Sequence, residues 1–283
     1  MTLSKQVANV RVGCQGWNYD DWMSAAGGGP VFYPRGTRAA GMLDVYARAY
    51  TSVEVDSTFY AVPSASTVDG WHTRTPDGFT FSLKLPRDIT HEHALRGSGA
   101  AEILADFCDR ARRLENKLAS VLIQLPPQFE AWPENTRALA EFLPLLPRDI
   151  RFGVEFRDGR WFDESVMELL GRYNVALALV EGPWVARERV WRLVDSLTAD
   201  FAYVRWMGER DLTRFDIVQR PQDSNLRAWA EVIARLGERV TRVDAYFSNF
   251  YEGHAPASAN KLKRLLGQST IEPDELEDQP SLF

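Results

Sequence analysis

Glu54 and Asp56 stand two residues apart in Val53-Glu54-Val55-Asp56. On an extended strand that spacing puts both carboxylates on one face, opposite the valines. The alternation recurs in Val154-Glu155-Phe156-Arg157, where an acid and a base share a face, and in Tyr203-Val204-Arg205, where a phenol and a guanidinium do. Lys84 closes the run Ser82-Leu83-Lys84-Leu85 ahead of Pro86, and another apolar run ends Tyr246-Phe247-Ser248-Asn249. Brought to one place, Lys84, Arg157 and Arg205 would hold a phosphate or carboxylate. Glu54 and Glu155 would then transfer protons, or join Asp56 in holding one Mg²⁺ or Mn²⁺. The competing expectation is a structural network in which Glu54 pairs with Lys84 and Glu155 with Arg205, because buried charges are costly unless paired.

His91, in His91-Glu92-His93, and His254, in Gly253-His254-Ala255-Pro256, each follow such a run. His91 is a candidate acid/base or phosphate ligand, and His254 a candidate binding residue. With four histidines in all, a multi-zinc centre is disfavoured. The segment Gly16-Trp17-Asn18-Tyr19 with Trp22 is aromatic enough to stack a base or sugar, or else to pack as an apolar lid. Cys14 has no histidine base beside it, which argues against a nucleophile.

These residues need a scaffold that gathers strand ends. Eight apolar, β-branched runs supply the strands: Val10–Gly16, Ser52–Tyr60, Phe79–Leu85, Ser120–Leu125, Arg151–Phe156, Val175–Val180, Phe201–Trp206 and Val243–Phe247. Helix-period segments lie between most of them, at Ala39–Tyr50, Ser66–Thr75, Ala100–Leu114, Asn135–Leu143, Glu164–Arg172, Asn225–Leu236 and Ala257–Leu266. Alternation of this kind over 283 residues predicts one α/β domain, a single (β/α)8 barrel with its site at the carboxyl ends of the strands. An open doubly wound sheet is disfavoured, since Gly27-Gly28-Gly29-Pro30 does not directly follow a strand. The domain reading is an N-terminal extension over 1–9, the barrel over 10–267 and a flexible acidic tail over 268–283.

A net charge of −6 argues against a surface that coats nucleic acid indiscriminately, but five of the acids crowd into residues 272–278, which leaves the rest at −1. A local basic groove is compatible with that balance. The absence of a long apolar run and of a signal-like start predicts a cytoplasmic protein with no membrane partner. Two isolated cysteines offer neither a disulfide framework nor a zinc ribbon.

Taken in order, Gly16-Trp17-Asn18-Tyr19, Phe32-Tyr33-Pro34, Val53 to Tyr60, Lys84-Leu85-Pro86 with Ile89-Thr90-His91, Gln124-Leu125-Pro126-Pro127, Val154 to Arg157 with Trp161-Phe162, Tyr203-Val204-Arg205, and Tyr246 to Asn249 with Gly253 to Pro256 resemble the YecE-like family, domain of unknown function 72. The resemblance covers about residues 10–267. It implies a TIM-type barrel and supplies no reaction. Against the family's usual pattern, Asp56 replaces asparagine, Asp158 and Met207 replace histidines, and Ser248, Phe250 and Ser258 replace Asn, Asp and Asn. These changes weaken any metal or general-base role at those positions. Glu54, Lys84, His91, Glu155, Arg157, Arg205 and Asn249 are retained.

The ending Gln279-Pro280-Ser281-Leu282-Phe283 resembles the peptide by which bacterial DNA-processing proteins dock into the sliding clamp, with Gln279, Leu282 and Phe283 as its contacts. Together these features favour a phosphate-substrate enzyme acting on nucleic acid, of hydrolase or repair type. Trp17, Tyr19, Asp56, Lys84, Arg157, Tyr203, Arg205, Tyr246, Asn249 and His254 would bind its substrate. A sugar or sugar-phosphate isomerase or hydrolase, with Glu54 and Glu155 as paired carboxylates, is the second reading. A non-catalytic nucleic-acid or metabolite binding protein is the third.

Overall fold

In the computed structural model, which describes residues 9–23 and 31–277, the eight apolar runs become eight parallel strands. They are β1 (Val10–Gln15), β2 (Ser52–Val55), β3 (Thr80–Lys84), β4 (Leu118–Gln124), β5 (Phe152–Glu155), β6 (Ala176–Glu181), β7 (Phe201–Trp206) and β8 (Arg242–Phe247). Each pairs with the next and β8 closes on β1, so the sheet is a barrel without an edge. The main outer helices are α1 (Met42–Ala49), α2 (Ala65–Thr73), α3 (Gly97–Arg112), α4 (Pro133–Phe142), α5 (Glu164–Arg172), α6 (Arg187–Leu193) and α7 (Asp223–Arg239). After β8 come the single turn α8 (Asn249–Glu252), then α9 (Ala255–Leu265) and α10 (Pro273–Glu277). Among the described residues no helix is long and apolar enough to cross a membrane.

Outward-pointing strand residues such as Val53, Val55, Phe81 and Leu83 join the helices' apolar stripes in one continuous core. Inside the barrel the filling is lopsided. Leu122, Ala178, Val180 and Tyr203 form an apolar wall on one side. On the other, hydrogen bonds do the filling: Tyr246 Oη lies 2.7 Å from Ser52 Oγ and 2.8 Å from Ser82 Oγ. Ser82 lies 2.8 Å from Ser120, which donates to Asp244 at 3.0 Å, and Arg242 holds the other Asp244 oxygen. Every member has a partner, which is what makes a buried polar chain tolerable. Gly13 lets β1 approach β2, since a Cβ there would sit 2.1 Å from the Ser52 carbonyl oxygen.

Two features differ from expectation. The sequence reading placed no helix between the sixth and seventh strands, yet α6 is there. It is short, four of its seven residues are charged, and Val190 is its one buried residue. The acidic segment was expected to be a free tail, but its described part packs. Leu276 is 2% exposed, and Arg48 donates to its carbonyl at 3.1 Å. Gln268 ties back to Val10 at 2.9 Å, and Arg264 pairs with Glu272 at 2.7 Å. Asp274 and Glu275 face outward from α10 while Leu276 faces in, so a high acid count did not preclude burial of one face. The clamp-like Gln279, Leu282 and Phe283 lie outside the described residues.

Candidate functional site at the barrel mouth

The strand ends converge on Arg205, the fifth residue of β7, which is completely buried. A guanidinium has five N–H donors in a fixed fork, and here all five are used. Nε and Nη2 grip Glu54 at 2.9 and 2.6 Å. Nη1 donates to Glu155 Oε2 and, at 3.2 Å, to Gln124 Oε1. The remaining Nη2 hydrogen goes to Gln15, whose amide, oriented to place an acceptor before these donors, brings Oε1 to 3.2 Å. Tyr203 Oη adds a 2.7 Å hydrogen bond to Glu54.

This geometry revises the roles read from sequence. Glu155 pairs with Arg205 as the network reading expects, but Glu54 holds Arg205 as well instead of Lys84, and both acids are fully buried. Burial outweighs Arg205 and keeps Glu54 above the usual carboxylate range. Burial pushes Glu155 the same way, but there Arg205 and Arg157 together prevail and hold it below that range. With their oxygens engaged, neither acid is placed to accept a substrate proton or to bind Mg²⁺ or Mn²⁺. Asp56, the one carboxylate lining the cavity among the described residues, is itself 3.4 Å from Lys84 Nζ. Among the described residues no three His, Cys, Asp or Glu side chains group as a metal site would require. The donor set does not fit the metal expectation. Arg205, saturated by the protein, is a positioning residue and not a ligand for substrate.

Above this plug lies a cavity of about 450 Å³ lined by Asp56, Lys84, His91, Arg157, Tyr19 and, at its base, Arg205 among the expected residues. Arg157 donates from Nε to Glu155 at 3.0 Å, and its guanidinium stacks 3.8 Å from the Trp184 ring centroid. Its Nη2 is buried and has no hydrogen-bond partner among the described residues. Lys84 Nζ lies 4.7 Å from the Phe59 ring centroid. His91 sits on a single π-turn, Asp88–Glu92, with Nδ1 2.8 Å from Thr90 Oγ1 and its ring edge-on to Phe59. Burial, then the charges of Arg157, Arg87 and Lys84, lowers its pKa. The imidazole is therefore neutral near pH 7, and among the described residues Nε2 has no protein partner.

Several expected residues are placed elsewhere. Trp17 packs outside the barrel against Trp71 and Phe81, and Trp22 is fully buried. Neither can stack a ligand in the mouth. Trp17→Ala should cost about 2–3 kcal/mol of stability, toward the low end for a large aromatic because the ring is only partly buried. Chemical denaturation would measure that loss, and anion binding should be unchanged. Tyr203 and Tyr246 fill the interior below the cavity. Asn249 accepts from Trp22 Nε1 at 3.1 Å and from Ala255 N at 3.0 Å, joining loop to helix. His254 Nδ1 donates to Phe215 O at 2.8 Å, while Asp21 accepts from Phe215 N at 2.8 Å. Both fasten the loop 207–222, which carries Arg210 to the cavity. Gly208 starts that loop at φ +65°, where a Cβ would strike the Phe250 carbonyl oxygen at 2.0 Å. Cys14, fully buried, has its thiol pKa pushed far up by burial and is inert.

Sequence reasoning missed Gln15, Gln124, Phe59, Tyr60, Arg87 and Arg210 as lining residues. The two glutamines were findable: each is the last residue of its strand, the position that drew attention to Lys84. Arg87 and Arg210 lie on loops, where no periodicity announces direction.

Residues 11–281 match the family described as Protein of unknown function DUF72. The chain is 35% identical over 126 residues to the UPF0759 protein YecE of Escherichia coli (strain K12), a match spanning 44% of this chain and 45% of that protein. It is 23% identical over 278 residues to the UPF0759 protein YunF of Bacillus subtilis (strain 168), covering 91% of this chain and 94% of that one. Among solved structures it is similar to a DUF72 family protein from Thermotoga maritima MSB8, with a TM-score of 0.74, 25% identity, and coverage of 92% of this chain and 99% of that chain.

Proposed function

The chain belongs to the DUF72 family of unknown function, and we propose that its barrel mouth is an enzyme site for a phosphate-bearing substrate of nucleotide size. The observation that carries this reading is Arg157 Nη2, a buried guanidinium nitrogen with no hydrogen-bond partner among the described residues, on a side chain that lines the cavity. Buried donors are costly unless satisfied, and an oxyanion satisfies this one with charge assistance. Lys84, Arg87 and Arg210 line the same cavity against the single carboxylate of Asp56 among the described residues. Tyr19, Phe59 and an outlying Tyr60, 72% exposed, offer apolar faces for a ring.

The cavity's size suits one small ligand. On the nucleic-acid reading, a strand would therefore present a terminal or everted nucleotide, not an intact duplex. The glycosidase version of the sugar reading loses support, because the carboxylates it needs are both bound to Arg205. Neutral His91 is the group left to accept a proton from bound substrate. In a panel of nucleotides, sugar phosphates and short single strands, His91→Gln should keep binding and lose turnover. Turnover undiminished in that variant would remove His91 from the chemistry.

A bound anion should also raise the His91 pKa, so binding takes up a proton. Affinity must then increase as pH falls toward the pKa of free His91, which burial holds below the ordinary imidazole value of roughly 6.5. Sulfate, which does not itself titrate there, is the appropriate probe. Its affinity should rise from pH 8 to pH 5.5 in the parent protein and stay flat in His91→Gln.

A further inference from the structure

Beneath the cationic rim, the cavity floor is made of amides. Gln15 ends β1 beside Glu54 of β2, and Gln124 ends β4 beside Glu155 of β5. Each glutamine is 4% exposed, and both line the cavity. Arg205 takes the carbonyl oxygen of both, Gln124 Oε1 at 3.2 Å and Gln15 Oε1 at 3.2 Å. A primary amide whose oxygen is pinned to one side presents its NH₂ group to the other. Arg205 takes both amide oxygens of the floor, so the two glutamines meet the cavity as donors and not as acceptors.

We infer that Gln15 and Gln124 form a second oxyanion subsite below the phosphate subsite, so that the substrate carries a carboxylate or carbonyl oxygen as well as a phosphate. This rests on the phosphate reading of the rim. A polyol is a poor occupant of such a floor, since each hydroxyl must donate as well as accept, and the floor acceptors are taken. A carboxylate or carbonyl oxygen only accepts, which suits an amide NH₂ group presented to the cavity. Glu54 and Glu155 have a purpose in this arrangement. They fix the guanidinium, which fixes the amides, in the way that outer hydrogen-bond partners orient the groups that touch a ligand.

The test is calorimetric titration of the full-length protein with inorganic phosphate, glycerol 3-phosphate, 2-phosphoglycolate and glycolate. 2-Phosphoglycolate should bind roughly tenfold or more tighter than glycerol 3-phosphate, the scale of one or two charge-assisted hydrogen bonds. In Gln15→Leu/Gln124→Leu that preference should vanish while the affinity for inorganic phosphate holds. Gln124→Glu, which keeps the volume and replaces a donor by an acceptor, should reverse it. Equal affinities in the parent protein, or a preference that survives both changes, would overturn the floor subsite and leave the phosphate rim intact. The rim fails differently: inorganic phosphate does not bind, while glycolate still binds and is weakened by Gln15→Leu/Gln124→Leu. Binding of none of the four probes overturns both.

Discussion

Replacing Arg205 with alanine should cost about 3–5 kcal/mol of stability, the effect of removing one partner from a buried ion pair. The loss would be a large fraction of the 5–15 kcal/mol typical of a folded domain. The reason is geometric. Glu54 and Glu155 are both fully buried, and Arg205 is the one cation that bridges them. Without it, among the described residues, Glu54 keeps only the Tyr203 hydrogen bond and Glu155 only that of Arg157. Arg205→Lys should rescue little, because an ammonium has three donors and no planar fork with which to hold two carboxylates and two amides. Urea denaturation monitored by tryptophan fluorescence measures the difference.

The pH dependence of the variant follows with a definite sign. Glu54 already sits above the ordinary carboxylate range, and loss of Arg205 raises it further. A carboxyl whose folded pKa exceeds its unfolded value penalises folding progressively as pH rises between the two. The deficit of Arg205→Ala should therefore be smallest near pH 5 and grow toward pH 8. A variant within about 1 kcal/mol of the parent protein at pH 8 would mean that water, not Arg205, carries these charges.

Arg157→Ala should weaken binding of phosphate or sulfate by about 10–100-fold, as expected for loss of charge-assisted hydrogen bonds. Its stability cost should be smaller than that of Arg205→Ala, because Glu155 would keep Arg205. Arg157→Lys separates charge from shape. If a point charge suffices, affinity is largely kept. If the guanidinium held over the Trp184 ring, 3.8 Å from its centroid, is needed to present Nη2, affinity falls nearly as far as in the alanine variant.

The sequence revealed the barrel because strand period and helix period alternate cleanly, and because polar residues interrupt apolar runs at strand ends. It also pointed to Asp56, Lys84, His91 and Arg157, which line one cavity. It could not distinguish a polar residue that faces ligand from one that props it. Glu54, Glu155 and Arg205 share the alternation of Lys84, and only the closed sheet shows three of them saturating one another. Nor could it separate Trp17, which packs on the outer side with Trp71, from Tyr19 two residues later, which lines the cavity. Alternation fails in the loop after β1, so side-chain direction there is set by tertiary packing. The acidic segment misled for a related reason: net charge measures the outer face of α10, whereas Leu276 determines where it docks.

The central claim is that the mouth takes an oxyanion on Arg157, and the most direct measurement is a phosphorus NMR titration of inorganic phosphate with the full-length protein. One saturable site per chain is predicted, displaced by sulfate and lost or strongly weakened in Arg157→Ala, with Trp17→Ala behaving as the parent protein. No saturable binding, or equal binding in Arg157→Ala, would contradict it.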